Sequence, residues 1–153
     1  MVFEATICHI IGPKGLLLKK ATRGVGKGKW NAPGGKVETG ETARKSAKRE
    51  VLEETNLKVK TLTFHGTILF FMNGSRVLEA KVHVFSTRDF TGTPRSTDEG
   101  RVRWFGLARL PFDEMWDDDK YWLGFMLSGS KFDAKFYYAR GDRAVKSFEI
   151  ITR

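Results

Sequence analysis

Short stretches in which hydrophobic and polar residues alternate cover most of the chain, and this pattern predicts β-strands. They are rich in β-branched and aromatic residues and are separated by Gly, Pro, Asn and Asp. We expect hairpins around the turns at residues 12–15 and 140–142. The predicted strands are Phe3–Ile11, Leu16–Ala21, Lys58–Phe64, Thr67–Met72, Leu78–Phe90, Val102–Leu107, Phe132–Ala139 and Ala144–Ile151.

Two stretches break this pattern and predict helices. The first, from Thr42 to about Thr55, lacks Gly and Pro and is rich in Ala, Lys, Arg, Glu and Leu, which favour helices. The second is expected to begin near Asp118 and to end at about Leu127. This order of elements predicts an α/β (α+β) fold, a mixed sheet between helices. The length of 153 residues predicts a single domain, residues 1–153.

Composition fits a small globular enzyme. Hydrophobic residues make up 41% of the chain and aromatic residues 12%, which argues against disorder. No apolar run of about 18 residues and no signal-peptide pattern is present, so we expect neither a membrane span nor secretion. The single cysteine, Cys8, lies in a predicted strand and is expected to be a core residue. A reducing, cytoplasmic setting follows from this cysteine usage.

The formal net charge of +9 indicates a polyanionic partner. A small nucleotide and a nucleic acid would both satisfy it, but no helix-turn-helix, zinc-finger or KH pattern occurs, so nucleic acid is not expected as the main partner. Basic residues crowd the segment before the first helix, where a triphosphate would approach; these are Lys14, Lys19, Lys20, Arg23, Lys27 and Lys29.

The first predicted helix carries three carboxylates on one face, because Glu50, Glu53 and Glu54 have i, i+3, i+4 spacing. Like charges at this spacing destabilise a helix by a few tenths of a kcal/mol, about 0.2–0.5 per pair. A hard divalent cation would relieve the repulsion, and Mg²⁺, with Mn²⁺ as the alternative, suits carboxylates that share a cation with substrate phosphates. The other interpretation is a solvated acidic face paired with basic residues of the same helix.

Three further residues extend the cluster into a spaced motif. With Gly35, Glu41 and Arg49 the sequence reads G-x5-E-x7-R-E-U-x-E-E, where Val51 is the aliphatic U. Six specified residues match by chance about once in ten million positions. The spacing closely resembles the Nudix box of nucleoside-diphosphate-linked pyrophosphohydrolases. Asn56 stands where that family usually has Gly, and Asn tolerates the positive φ expected at a helix end.

Within that family, the MutT-like branch contains the hydrolases of oxidised purine nucleoside triphosphates. The resemblance to this branch covers nearly the whole chain. It implies an α/β/α sandwich and Mg²⁺-dependent hydrolysis of substrates such as 8-oxo-dGTP and 2-oxo-dATP to a nucleoside monophosphate and pyrophosphate. Outside the box it rests on Trp30-Asn31, Val82-His83-Val84-Phe85, Gly92-Thr93-Pro94, Asp98-Glu99, Trp104-Phe105, Pro111-Phe112 and Met115-Trp116.

The same resemblance implies a base pocket. Trp116 would stack on the purine, and Asp118 and Asp119 would read its edge, because two adjacent buried carboxyls favour one protonated and one ionised form. The alternative interpretation is that both aspartates cap the second helix. Asn31 and Thr6 match further pocket positions of the family.

Part of this pocket departs from the family pattern. Val25 stands in place of a Phe, and Ala32-Pro33 stands in place of Gly-Phe, so an aromatic wall is missing. Tight selection of oxidised over normal purines is therefore less firmly expected than the phosphate chemistry. Phe70 is a candidate for another wall.

For the reaction, the resemblance implies that Glu50, Glu53, Glu54 and Gly35 hold the metal. The paired glycines Gly34 and Gly35 let backbone N–H groups approach a phosphate. Glu54 and Glu99 are the candidates for base or additional ligand, although Glu99 would pair equally well with Arg101 or Arg103. Glu41 and Arg49 are expected to brace the loop against the helix.

Two other functions remain open from the sequence. One is a Nudix hydrolase of ADP-ribose, a dinucleoside polyphosphate or an RNA cap, which would not obviously need the constellation of Trp116 with two aspartates. The other is a non-catalytic nucleotide or RNA sensor, against which the complete set of helix glutamates argues. In each case we expect a monomer.

Overall fold

The computed structural model describes residues 2–24, 26–98 and 100–153. The described residues form eleven strands, two α-helices and two short 3₁₀ turns, at Leu107–Arg109 and Phe112–Glu114. The helices are α1 (Ala43–Thr55) and α2 (Asp119–Leu127). The strands are β1 (Phe3–Gly12), β2 (Gly15–Ala21), β3 (Trp30–Asn31), β4 (Gly34–Lys36), β5 (Lys58–Val59), β6 (Thr63–Phe71), β7 (Ala80–Thr87), β8 (Phe90–Thr91), β9 (Gly100–Phe105), β10 (Phe132–Tyr138) and β11 (Val145–Thr152).

Nine of these strands form one mixed sheet. Its order is β11-β10-β6-β7-β1-β2-β3, with β4 paired to β1 and β9 paired to β2. The pairs β1–β7 and β10–β6 are parallel, and the other pairs in this sheet are antiparallel. Strands β5 and β8 form a separate two-stranded ribbon.

The two helices pack on opposite faces of the sheet. Along β1, Cys8 and Ile10 belong to the hydrophobic cluster that includes Ala47 and Val51 of α1. Ile11 belongs to the other cluster, which includes the buried side chains Trp122, Leu123 and Met126 of α2. Because successive side chains of a strand point to opposite faces, the helices lie on different sides. The predicted α/β/α sandwich with a central mixed sheet is confirmed.

The first helix ends as the sequence predicts. Thr42 is its N-cap, and the Thr42 side chain accepts a hydrogen bond of 3.2 Å from the backbone N–H of Lys45. Asn56 is its C-cap with φ 68°, and its backbone N–H donates to the carbonyl of Leu52. Asn56 therefore supplies the left-handed conformation that Gly usually supplies at this position.

Three parts of the strand prediction are wrong. The expected strand Lys58–Phe64 is divided, because Lys58–Val59 pairs with β8 while β6 begins at Thr63. The expected break between the third and fourth strands is instead an irregularity between Phe64 and Gly66 within β6. The expected strand Leu78–Phe90 ends at Thr87. Pairing partners distant in sequence, rather than local propensity, set these boundaries.

The segment before the first helix, for which no strand is predicted, contains two short strands. Strand β3 pairs with β2, and strand β4 pairs with β1. The segment from Trp30 to Lys36 is therefore held by backbone hydrogen bonds on both sides. This fixes the approach of its backbone to α1.

Cys8 is a fully buried free thiol, as its strand pattern predicts. Burial raises the pKa of this thiol to about 12. Cys8 is therefore a core residue. None of the described helices combines the length and apolar character needed to cross a membrane.

His9 is a buried histidine beside α2. Its ring meets the Trp122 ring edge-on with 5.5 Å between centroids, and its Nδ1 has no hydrogen-bond partner among the described residues. Burial, with a further contribution from His65, lowers the pKa of His9 from 6.5 to about 3. His9 is therefore neutral in the folded protein at neutral pH.

We expect this histidine to make the protein less stable in acid. Below pH 6.5 the unfolded chain binds a proton at His9 and the folded chain does not until about pH 3, so the free energy of unfolding falls as the pH drops through this window. The loss between pH 7.5 and pH 5 should be smaller in His9→Leu by about 2 kcal/mol, since the slope is about 1.4 kcal/mol per pH unit. Urea unfolding at both pH values measures this loss. Equal losses in the wild type and in His9→Leu would contradict the lowered pKa of His9.

Candidate active site

A single guanidinium joins the carboxylates of the first helix to the loop before it. Arg49 donates to both oxygens of Glu41, at 2.7 Å from Nε and 3.0 Å from Nη2. Its Nη1 donates to Glu50 Oε1 at 2.7 Å and to Glu53 Oε2 at 3.3 Å. The hydrogen bonds from Arg49 lower the pKa of Glu41 to about 2. The structure thus brings Glu41 and Arg49 together in the arrangement expected of a brace.

Glu54 contacts Lys19 and Gly34 and is buried, with 2% of its surface exposed. Its Oε1 accepts a hydrogen bond of 2.8 Å from the backbone N–H of Gly34, and its Oε2 accepts one from Lys19 Nζ. Burial raises the pKa of Glu54, and the hydrogen bond from Lys19 partly offsets this rise. Glu54 therefore combines a buried carboxyl with a cationic partner.

The paired glycines permit close approach of the β4 backbone to its neighbours. A Cβ on Gly34 would lie 1.9 Å from the backbone oxygen of Thr6. A Cβ on Gly35 would lie 2.7 Å from Glu50 Oε1, so only Gly leaves room for that carboxylate. The Glu50 carboxylate thus packs directly against the Gly35 backbone, and we call this close contact the Gly35 cradle.

These residues fit a hard divalent cation in chemistry, although they are not a closed ligand set. Within residues 2–24, 26–98 and 100–153, no three His, Cys, Asp or Glu side chains are grouped closely enough to hold a metal ion. Glu50 and Glu53 meet at Arg49, while Glu54 is turned to Lys19. Oxygen donors around the Gly35 cradle suit Mg²⁺, which takes few carboxylates and keeps several waters. The metal role of these residues stays a prediction.

A cavity of about 240 Å³ lies between the sheet and α2. It holds five of the residues predicted for a base pocket, namely Asn31, Phe70, Trp116, Asp118 and Asp119. The remaining lining is mostly apolar and includes Phe3, Ile7, Met72, Val82, Trp122 and Tyr138. This volume is below the range of about 300–1,000 Å³ typical of small-molecule sites. It therefore suits one planar ring system, with any sugar and phosphates outside.

The two aspartates are buried at the base of this cavity, with 3% and 4% of their surfaces exposed. Asp118 occupies the N-cap position of α2 but makes no side-chain capping hydrogen bond. Its carboxyl turns inward to Trp122 and Tyr138 instead. The alternative prediction that the Asp118 side chain caps the second helix is therefore wrong.

Thr6 requires a correction. It is fully buried, but its hydroxyl lies 3.4 Å from the hydroxyl of Ser46 in α1, and it is not among the residues that line the cavity. Its neighbour Ile7 lines the cavity instead. Strand alternation places Thr6 on the α1 face and Ile7 on the α2 face. The structure thus does not place Thr6 in the predicted pocket.

The segment from Asn31 to Gly34 links the cavity to the carboxylates. Asn31 lines the cavity, and its side-chain oxygen accepts from the backbone N–H of Ala32 at 2.9 Å. Three residues later, Gly34 contacts Glu54. Three residues span at most about 11 Å, since an extended chain rises about 3.3–3.6 Å per residue. A ligand in the cavity could therefore extend a phosphate chain to α1.

The basic segment before the first helix contacts both regions. Lys29 lies over the Trp116 ring at 5.3 Å from its centroid. Lys20 pairs with Glu114 at 3.3 Å and lies over Trp30, while Lys19 contacts Glu54. Part of this positive charge is therefore used within the protein. Val25 and Glu99, two residues singled out in the sequence, lie outside the described residues.

Sequence reasoning missed three residues of this arrangement. Lys19 is one of several basic residues in its segment, and nothing in its local sequence indicates its partner Glu54. Trp122 follows Asp118 by four residues on a predicted helix, a spacing that could have suggested the contact. Tyr138 lies in a strand with alternating aromatic residues, which indicates burial but not a partner.

The chain belongs to the Nudix family, because the NUDIX domain model matches residues 2–124. An oxidized purine nucleoside triphosphate hydrolase from Mus musculus is 42% identical over 137 residues, which cover 90% of this chain and 87% of the relative. One of the same description from Danio rerio is 40% identical over 141 residues, which cover 92% and 90%. A MutT protein from Bacillus halodurans has a similar structure, with a TM-score of 0.85, 27% identity and 97% coverage of both chains.

Substituting Gly35 tests the cradle. In Gly35→Ala the new methyl group would lie 2.7 Å from Glu50 Oε1, so we expect displacement of that carboxylate and a loss of hydrolytic activity of at least about 100-fold. Gly106→Ala is the matched control, because no atom lies within 4 Å of its Cβ and its φ of −59° suits any residue. Steady-state kinetics measures both. Full activity in Gly35→Ala would contradict the proposed close approach.

Removing Lys19 should destabilise the protein through Glu54. Lys19→Met leaves a buried carboxyl without its cation, and we expect a loss of about 2–3 kcal/mol in the free energy of unfolding. The control is Lys20→Met, whose partner Glu114 is exposed; there we expect less than about 1 kcal/mol. Urea unfolding without metal compares the two. Equal losses of unfolding free energy in the two variants would contradict a stabilising role of the Lys19–Glu54 pair.

Proposed function

We propose that this protein is a Mg²⁺-dependent pyrophosphohydrolase of oxidised purine nucleoside triphosphates, such as 8-oxo-dGTP and 2-oxo-dATP. Its products would be the nucleoside monophosphate and pyrophosphate, and its role the removal of damaged nucleotides from the pool. The observation that carries this proposal is a purine-sized cavity with two buried aspartates. Its lining residue Asn31 is only three residues from Gly34, which contacts Glu54 of the carboxylate-bearing helix. The names of the relatives from Mus musculus and Danio rerio support the substrate class.

The carboxylates of Glu50, Glu53 and Glu54 and the carbonyl of Gly35 would hold the cation. When bound, Mg²⁺, or Mn²⁺ in its place, supplies Lewis-acid polarisation of the substrate phosphates and lowers the pKa of a coordinated water. Arg49 holds two of these carboxylates in place.

Proton transfer falls to Glu54 in this proposal, with Glu99 as the other candidate for base or ligand. Burial raises the pKa of Glu54 above its ordinary value, and a higher pKa makes a carboxylate a stronger base. Lys19 would keep the carboxyl oriented until the substrate binds. The backbone N–H of Gly34 already donates to Glu54, so a phosphate bound at the paired glycines would have to displace this contact.

The cavity would hold the base. Trp116 provides a face for stacking, and Phe70 provides a second aromatic surface. Burial raises the pKa of Asp119 well above its ordinary value, and the neighbouring Asp118 adds to the rise. A protonated Asp119 beside an ionised Asp118 would offer one donor and one acceptor to the purine edge.

The remaining features of the proposal rest on the sequence. We infer a monomer that acts in the cytoplasm on a small nucleotide and has no nucleic acid as its main partner. The second candidate substrate is another Nudix substrate such as ADP-ribose, which the missing aromatic wall at Ala32 and Pro33 favours.

A substrate panel tests the proposal directly. We expect kcat/KM with Mg²⁺ to be at least about tenfold higher for 8-oxo-dGTP or 2-oxo-dATP than for dGTP, dATP or ADP-ribose, which corresponds to about 1.4 kcal/mol of transition-state stabilisation. Asp118→Asn should remove this preference while keeping some turnover, because it changes the base pocket alone. Glu53→Gln should abolish turnover of every substrate.

The panel separates the two parts of the proposal. A preference for ADP-ribose, or for no oxidised base, together with an inactive Glu53→Gln protein, would keep the metal site and contradict the substrate. Full activity of Glu53→Gln would contradict the metal site.

A further inference from the structure

The hydroxyl of Tyr138 contacts Asp118 at two points. Tyr138 lies on β10, lines the cavity and is 1% exposed. Its hydroxyl donates to Asp118 Oδ1 and accepts from the backbone N–H of Asp118 at 3.0 Å. Since a hydroxyl has one proton, the accepted N–H fixes its direction towards the carboxylate. Tyr138 is therefore a donor to Asp118.

Asp118 receives a second donor from the helix that follows it. Trp122 Nε1, which can only donate, lies 2.7 Å from Asp118 Oδ2. Both oxygens of Asp118 thus accept a hydrogen bond, whereas Oδ2 of the adjacent Asp119 has no partner among the described residues. Donors favour the ionised form of a carboxyl, and the neighbouring pair cannot both ionise cheaply. The proton of the pair therefore belongs on Asp119.

The charged groups around the pair do not reverse this assignment. Asp117 adds negative charge near Asp118, but its own carboxylate is paired with Lys120 at 2.8 Å and accepts from the backbone N–H of Val145 at 2.8 Å. Glu79 lines the cavity, and Lys29 lies over Trp116. His9, against Trp122, is neutral because burial lowers its pKa to about 3.

The different protonation of Asp118 and Asp119 predicts which base they prefer, because it sets how many donors and acceptors face the base. A carboxylate has about four lone-pair sites, and Tyr138 and Trp122 use two of those on Asp118. Asp118 can accept two more N–H groups, and a protonated Asp119 can donate one O–H. Two adjacent N–H donors beside one carbonyl acceptor are the edge of a guanine-type base. An adenine-type base presents an amino donor at the position where guanine has its carbonyl.

We propose that Tyr138 is a positioning residue that sets base specificity: by donating to Asp118 it keeps that carboxyl as the acceptor, leaves the proton on Asp119, and so selects guanine-type over adenine-type oxidised purines. This inference rests on the function proposed above and names its substrate more narrowly. The ring of Tyr138 also meets the Trp116 ring edge-on, with 6.0 Å between centroids, and a Phe at this position would keep that contact.

Tyr138→Phe tests the proposal, because it removes the hydroxyl and keeps the ring. We expect the wild type to prefer 8-oxo-dGTP over 2-oxo-dATP by at least about tenfold in kcat/KM. In the variant this ratio of kcat/KM values should fall by a factor of at least about five. The pH profile of kcat/KM for 8-oxo-dGTP should also change. In protein with ¹³C-labelled aspartate carboxyls, the Asp118 resonance should titrate at higher pH in the variant, without any nucleotide present.

Tyr137→Phe is the matched control, with the same chemical change one residue away on the same strand. Tyr137 stacks on Phe71 at 4.3 Å between centroids and does not line the cavity, so neither the ratio nor the Asp118 titration should move. If Tyr138→Phe lowers kcat/KM equally for both substrates and leaves the Asp118 titration unchanged, Tyr138 has a merely structural role and the proposal is overturned.

The nucleotide-free titration keeps this test separate from the proposed function. A wild type that hydrolyses neither oxidised triphosphate would contradict the proposed function and the base preference. The titration of Asp118 would still decide whether Tyr138 controls the carboxyl pair. An unchanged Asp118 titration in Tyr138→Phe would overturn that control even in an active enzyme.

Discussion

The ion pairs of Arg49 are the interaction on which the rest of the candidate site depends. One guanidinium contacts Glu41 before the helix, Glu50 and Glu53 on the helix, and the carbonyl of Lys36 in β4 at 3.3 Å. Its single positive charge reduces the repulsion between carboxylates along α1. It also ties β4 to the helix, and its planar fork makes contacts that a lysine could not make together. The carboxylates that contact Arg49 are therefore fixed in direction.

The second constraint is that the two halves of the site lie on opposite faces of the sheet. Thr6 faces α1 and the carboxylates, while Ile7 faces the cavity and α2. The segment from Asn31 to Gly34 passes between the two faces and contacts both. A nucleotide is suited to such a site, because its base and its phosphates bind to different kinds of surface. The base needs an apolar slot with a few polar groups, and the phosphates need cations.

Much of the fold could be predicted from the sequence because its strongest signals are local. The helix ends at Thr42 and Asn56 follow from capping preferences, and the first and last hairpins follow from their turns. The divided strand at Lys58–Phe64 could not be predicted, because its two parts pair with strands far away in the chain. The short strands β3 and β4 could not be predicted, because two or three residues give no local strand pattern.

In the candidate site, too, features set by neighbouring residues could be predicted, and contacts between distant residues could not. The spacing of Glu50, Glu53 and Glu54 places them on one helix, but only the structure shows that Glu54 turns to Lys19, 35 residues away. The pocket residue Thr6 was misplaced because a match in sequence does not report the direction of a side chain. Tyr138 was missed because a hydroxyl in an apolar strand gives no local signal for its partner.

Identification of the products tests the central claim, that the carboxylates of α1 and the cavity together form the active site of a nucleoside triphosphate pyrophosphohydrolase. The measurement is ³¹P NMR of 8-oxo-dGTP turnover, with Mg²⁺ and again with the metal chelated. We expect pyrophosphate and 8-oxo-dGMP with Mg²⁺ and no turnover without it. Release of orthophosphate and a nucleoside diphosphate, or turnover that continues without a divalent cation, would contradict the claim.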